Sequence, residues 1–244
     1  MSLSRWFRTT RNELAVLVTP SVDVPVFAEW QPGDVIVFGA RYQLTTALTT
    51  QGLHLAIGAY QAATGRRDAA RYGHVAVYAG DGTMWQSTRA RGVHCCPVLP
   101  DCLAFDLVLR RWRPQGSTDA EIAEFGRQVV DYCSQKKGTP YDKWIAAELV
   151  QAHLRFLGQP AEAEDALICS QLVHTAYLRN DDNRGRYRLI DDVSRPRTAN
   201  RKPMPADFMQ SQQFKTIVYS KNTISTSDYF DLLEKLPDDC PDRP

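Results

Sequence analysis

Apolar and polar positions change period along this chain, and the change divides it. The turn-forming Pro32-Gly33 precedes Val35-Ile-Val-Phe38, whose β-branched and aromatic residues predict a strand. Val75–Ala79 and Met84–Ser87 predict a hairpin around Gly80-Asp81-Gly82. Gly92–Val98 and Phe105–Trp112 continue as strands, the latter alternating Phe105, Leu107 and Leu109 against Asp106, Val108 and Arg110. Beyond them the spacing becomes helical. Thr118-Asp-Ala-Glu121 is a capping box opening a helix with Ile122, Phe125, Val129 and Val130 on one face, ending near Gly138. A second helix carries Ile145, Leu149, Ala152 and Phe156, and a third begins near Cys169 and buries Leu172, Val173, Ala176 and Tyr177. A helical turn starts at Pro205, Phe214–Tyr219 is a late strand, and 227–236 is a short surface helix. Residues 44–63, interrupted by Gly52 and Gly58, read as a broken helical insertion. Strands gather in the first half and helices in the second, which makes the chain α+β.

Composition narrows the function classes. With 43% hydrophobic and 23% charged residues in 244, the chain is an ordinary globular protein able to bury a substantial core. A formal charge of +1 supplies no global field for nucleic acid or a membrane surface. No apolar run reaches the roughly 18 residues of a membrane span. The stretch MSLSRWFRTTRNELAVLV is basic at its start but too weakly apolar for a signal peptide. The expectation is a chain that is cytoplasmic as synthesised, with delivery to another compartment or cell left open. Six cysteines without a secretion signal do not argue for a disulfide framework. His94, Cys95 and Cys96 alternate across a strand and cannot aim at one ion, so neither a metal nor another cofactor is expected.

Two short segments carry the chemistry. Cys169, in Leu167-Ile-Cys-Ser-Gln, falls where a loop becomes a helix. There the helix dipole and unpaired N–H groups lower a thiol pKa and can also hold an oxyanion. His74, in Tyr72-Gly-His-Val-Ala-Val-Tyr, stands at the mouth of a strand behind a glycine. The hairpin returns Gln86 to the sheet face of His74, where its amide oxygen can accept the ring N–H and fix the tautomer. Taken singly, Cys169 reads as a buried core residue and His74 as a structural histidine. His54, His94, His153 and His174 are the competing bases. His174 lies about 140° round the helix from Cys169 and points away.

The run Gly33-Asp-Val-Ile-Val-Phe, Gly73-His-Val-Ala-Val-Tyr-Ala-Gly-Asp-Gly, Trp85-Gln-Ser, Gly138-Thr-Pro-Tyr-Asp and Ile168-Cys-Ser-Gln-Leu-Val resembles the circularly permuted NlpC-type papain-fold hydrolases, the YiiX-like branch. The resemblance covers roughly residues 31 to 215 and follows the permuted order, histidine strand before cysteine helix. It implies a papain-like antiparallel sheet or partial barrel packed against helices. It further implies Cys169 as nucleophile, His74 as general base and acid, and Gln86 at the orienting position, where many permuted members have glutamate. Tyr141 matches an aromatic beside the nucleophile and, with Ser170, is the candidate for the substrate or oxyanion contact. A core tyrosine with a satisfied hydroxyl is the alternative for Tyr141, and Ser170 and Ser87 otherwise read as polar bystanders.

The resemblance implies a cysteine hydrolase working by thiol acyl transfer on an amide bond in a bacterial cell-wall peptide. A lipid acyl-ester hydrolase or acyltransferase and a non-catalytic binding module are the alternatives. Residues 1–30 are expected to be a lead-in, 31–220 the catalytic domain with an insertion at about 41–70, and 221–244 an acidic extension. The insertion either borders an acyl groove or belongs to the core. The Arg179–Lys202 segment, with seven arginines and one lysine, could hold carboxylates or phosphates, or be a solvated loop. The expected partners are the cell-wall peptide or lipid substrate, and an immunity or delivery protein if the chain is an injected toxin.

Overall fold

The structure, a computed structural model, describes residues 20–40, 61, 69, 71–142, 167–181, 187, 189 and 203–236. The expected helix at 145–156, most of the insertion at 41–70, and nearly all of the arginine-rich segment lie outside them, as do His54, His153 and Cys240. The described residues form a mixed α+β architecture. Strands β2 (Val35–Ala40), β3 (Tyr72–Gly80), β4 (Thr83–Thr88), β5 (Gly92–Pro97), β6 (Phe105–Trp112) and β7 (Phe214–Ile217) build one sheet of order β5-β4-β3-β2-β6-β7. All its pairings are antiparallel, and among the described residues β5 and β7 are its edges. Strand β1 (Ser21–Pro25) pairs antiparallel with β8 (Lys221–Ser225) as a separate ribbon. The helices are α1 (Asp119–Gln135), α2 (Cys169–Asn180), α3 (Pro205–Gln210) and α4 (Thr226–Glu234).

Both faces of the large sheet are covered, which explains the unbroken apolar runs of β2 and β3. Val35, Val37, Val75, Val77, Trp85 and Val93 face α1 and α2, packing with Phe125, Val129, Leu172 and Val173. Ile36, Phe38, Ala76, Tyr78, Met84 and Leu109 face the other way, against Trp30, Tyr229 and Leu233. Each fully buried aliphatic side chain here contributes about 1.5–3 kcal/mol of burial free energy. The segments set apart as lead-in and extension therefore meet: β1 and β8 pair, and Tyr229 of α4 donates its hydroxyl to the Leu99 carbonyl at 2.7 Å.

Local chemistry accounts for the element ends. The Thr118 hydroxyl accepts from the Glu121 N–H, and the Glu121 carboxylate accepts from the Thr118 N–H, so the capping box starts α1 as expected. The β3–β4 turn is Asp81-Gly82, with φ of 50° and 71°, the left-handed geometry of a tight hairpin. An irregularity between Tyr78 and Gly80 offsets this shorter loop, so Val77 still pairs with Trp85 and the face of Gln86 is the one anticipated. One charged residue breaks the alternation of β6. Arg110 is buried, donating to the carbonyls of Phe208 and Ser211 and to the Thr216 hydroxyl. A second buried polar residue, Gln61, donates to the Tyr72 carbonyl and accepts from the Ala206 N–H, tying the start of β3 to α3.

Candidate active site

The site forms where β3 and β4 part. Their ladder runs from the turn to Val77↔Trp85. Beyond that point β4 stays paired with β5 as far as Thr88↔Gly92, while β3 stays with β2. The residues leading into α2 enter this fork. The Ser87 hydroxyl of β4 donates to the Leu167 carbonyl at 2.5 Å, and the Leu167 N–H donates to the Pro140 carbonyl at 3.0 Å. Two residues on, the backbone N–H groups of Val75 and Ser170 donate to the Cys169 thiol. The Val75 nitrogen is two bonds from the His74 Cα, so the Cys169 thiol lies against the backbone beside His74, while the imidazole itself lies on the Phe38 face of the sheet.

A bulge places His74. Phe38 pairs with His74, but Gly39 pairs with Tyr72, leaving Gly73 as an extra residue in β3. Bulges of this kind re-aim side chains beside functional sites. The imidazole leans on the Phe38 ring at 5.1 Å between centroids, and its Nε2 lies 2.7 Å from Gln86 Oε1. An amide oxygen only accepts, so Nε2 carries the proton and Nδ1 keeps a lone pair. Gln86, His94 and Cys96 are buried on this same sheet face, whereas Cys95 on the other face is exposed, the alternation anticipated for this strand.

Electrostatics correct one expectation. The helix N-terminus was expected to lower the thiol pKa. Burial dominates instead, pushing Cys169 from its ordinary 9.0 to about 11 despite the nearby backbone N–H groups. Cys169 is only 5% exposed, and desolvating a thiolate outweighs a partial dipole charge there. His74 moves the other way. Desolvation holds it below 6.5, opposed by the Gln86 hydrogen bond and by the charge of Asp101. At neutral pH the resting pair is thiol and neutral imidazole.

The remaining candidates separate. Tyr141 is carried in by 138–140, whose backbone pairs with Val93 through Gly138 N–H to Val93 carbonyl and Val93 N–H to Thr139 carbonyl, both 2.8 Å. Burial raises the Tyr141 pKa first, and a Cys169 thiolate raises it further, so its hydroxyl lies within electrostatic reach of the thiol. The Ser170 hydroxyl turns away, donating to the Pro203 carbonyl at 2.8 Å; only its backbone N–H faces Cys169. That side chain anchors α2 rather than lining the site. His174 pairs with the Tyr187 hydroxyl at 3.0 Å, away from Cys169. Three contributors were missed by the sequence reading: Ser87 as the anchor of Leu167, and His94 and Cys96 around Gln86. The register Gln86↔His94 and Met84↔Cys96 was the signal, obtainable by counting back across the Arg89-Ala90-Arg91 turn.

Among the described residues, no group of three or more histidine, cysteine, aspartate or glutamate side chains could hold a metal ion, and no helix is long and apolar enough to cross a membrane. The chain matches no protein-family model, and no curated protein is significantly similar to it.

Proposed function

We propose that the chain is a papain-like cysteine hydrolase of the circularly permuted, NlpC-type kind, cleaving an amide bond in a bacterial cell-wall peptide. The observation that carries it is the fork. A helix-start cysteine lies against the backbone beside a histidine whose Nε2–H is held by Gln86, so that the bare Nδ1 is the nitrogen left for a proton. This reading requires Cys169 Sγ and His74 Nδ1 to meet in the substrate complex, where the thiol proton passes to Nδ1 as sulfur attacks the carbonyl. The Cys169 backbone N–H and the Tyr141 hydroxyl hold the oxyanion. The imidazolium then gives its proton to the leaving amine. Water, deprotonated by Nδ1, then attacks the thioester and releases the carboxylic acid, and the imidazolium returns the proton to the departing sulfur.

A second reading, a binding module on the same fold, draws on the burial of Cys169 and its raised pKa. Mass spectrometry of products after incubation with purified peptidoglycan, and separately with phospholipid, decides between them. New amide cleavage products from wild type, absent with Cys169→Ala, are the expected result. Fatty acid release moves the substrate to lipid esters. Equal products from both proteins, or none from either substrate, overturn the enzyme reading.

A further inference from the structure

A glutamine can lie in its site two ways round, and only one of them leaves His74 usable as a base. The Gln86 carboxamide accepts from His74 Nε2 through Oε1 at 2.7 Å. Its Nε2 donates to Cys96 Sγ at 3.0 Å and faces His94 Nε2 at 3.5 Å. His94 Nδ1 lies 2.9 Å from the Gly92 carbonyl. That carbonyl only accepts, so His94 is protonated on Nδ1 and turns a lone pair towards Gln86. Gln86, His94 and Cys96 are 6%, 5% and 4% exposed, too little for water to replace a lost partner.

Rotating the carboxamide by half a turn would oppose its oxygen to the His94 lone pair and aim its NH2 at His74 Nε2. His74 would then hold its proton on Nδ1, the nitrogen that has to be bare to receive one from sulfur. A carboxylate at position 86 would have no such ambiguity, because both its oxygens accept. An amide needs its neighbours to orient it.

We propose that His94 is a positioning residue of this site. Its Nε2 lone pair, assisted by Cys96 Sγ, sets the Gln86 carboxamide and through it the His74 tautomer. The inference rests on the hydrolase reading only for the use made of that tautomer. Asp101 is the charged group whose field acts on His74.

Ring-nitrogen NMR of the full chain labelled with 15N-histidine tests this. Wild-type His74 is expected in the Nε2–H form. In His94→Phe the ratio of Nε2–H to Nδ1–H should fall about fivefold, the bias of roughly one net hydrogen bond. Cys96→Val should shift it the same way, and serves if His94→Phe does not fold. In a Gln86→Glu background the His94→Phe change should leave the tautomer alone. A folded His94→Phe or Cys96→Val protein that keeps His74 wholly as Nε2–H overturns the proposal. The tautomer is read without turnover. If it shifts as expected while Cys169→Ala proves as active as wild type, the positioning role stands and the hydrolase reading falls.

Discussion

Cys169 sets the pH behaviour of the site. Because its thiol ionises near 11 rather than 9.0, alkylation of Cys169 by iodoacetamide should accelerate steadily with pH through the alkaline range. A rate that levels off below pH 7 would mean that a thiolate–imidazolium pair already exists, against the burial described. The same shift affects stability. Between about pH 9 and 11 the unfolded chain loses the Cys169 proton while the folded chain keeps it, so stability falls as pH rises, on the order of 3 kcal/mol in all. His74, lowered in the folded state, acts at the other end: below pH 6.5 the unfolded chain binds a proton first, and acidification destabilises. Urea midpoints of wild type and His74→Phe across pH 5 to 7 check this, the variant being expected to lose that part of the slope. The three principal candidates were legible because each depends on local rules: a helix start, a glycine before a strand, a hairpin count. The direction of the Cys169 shift was not, since it depends on what α2 and β3 bury together.

At the scale of elements, α1 is locked to the turn before β2 by two glycines. A Cβ on Gly126 would stand 2.2 Å from the Pro32 carbonyl oxygen, and one on Gly33, where φ is +88°, would stand 2.3 Å from the Gly126 Cα. Alanine ordinarily strengthens a helix interior by about 1 kcal/mol over glycine. Here Gly126→Ala should instead destabilise by about 1–3 kcal/mol, as overpacking does, seen as a lower urea midpoint. An unchanged or higher midpoint would show that α1 can move off freely. Gly92→Ala should act more locally. Its Cβ would meet the Thr139 carbonyl at 2.1 Å, displacing the 138–140 segment that delivers Tyr141. The capping box of α1 and the apolar spacing of α2 predicted their helices well, because they are contained in a few consecutive residues. The Gly73 bulge and the fork between β3 and β4 were invisible, since both are properties of how one strand pairs with another.

For the whole molecule, the boundary drawn at residue 220 does not separate an appendage. Tyr229 is fully buried in the core that also holds Tyr78 and Trp30, and its hydroxyl reaches the Leu99 and Pro100 carbonyls beside Asp101. Tyr229→Ala should cost about 3–5 kcal/mol in urea unfolding, the range for emptying a buried aromatic site. A loss under about 1 kcal/mol would mean that 221–236 is peripheral after all. The acidic composition that suggested a tail concealed this, because Tyr229 and Leu233 need only one helix face to enter the core.

The ribbon of β1 and β8 has one more consequence. Ser21 lies opposite Ser225, so the first and last described strands run side by side. A peptide link from the end of α4 back to the start of β1, with the chain reopened between Asp142 and Leu167, would give a protein that begins with the Cys169 helix and reaches His74 later. None of the described sheet pairings within the large sheet would have to change. Whether base or nucleophile comes first along the chain is thus decided by where a closed loop is cut, while the chemistry belongs to the loop itself.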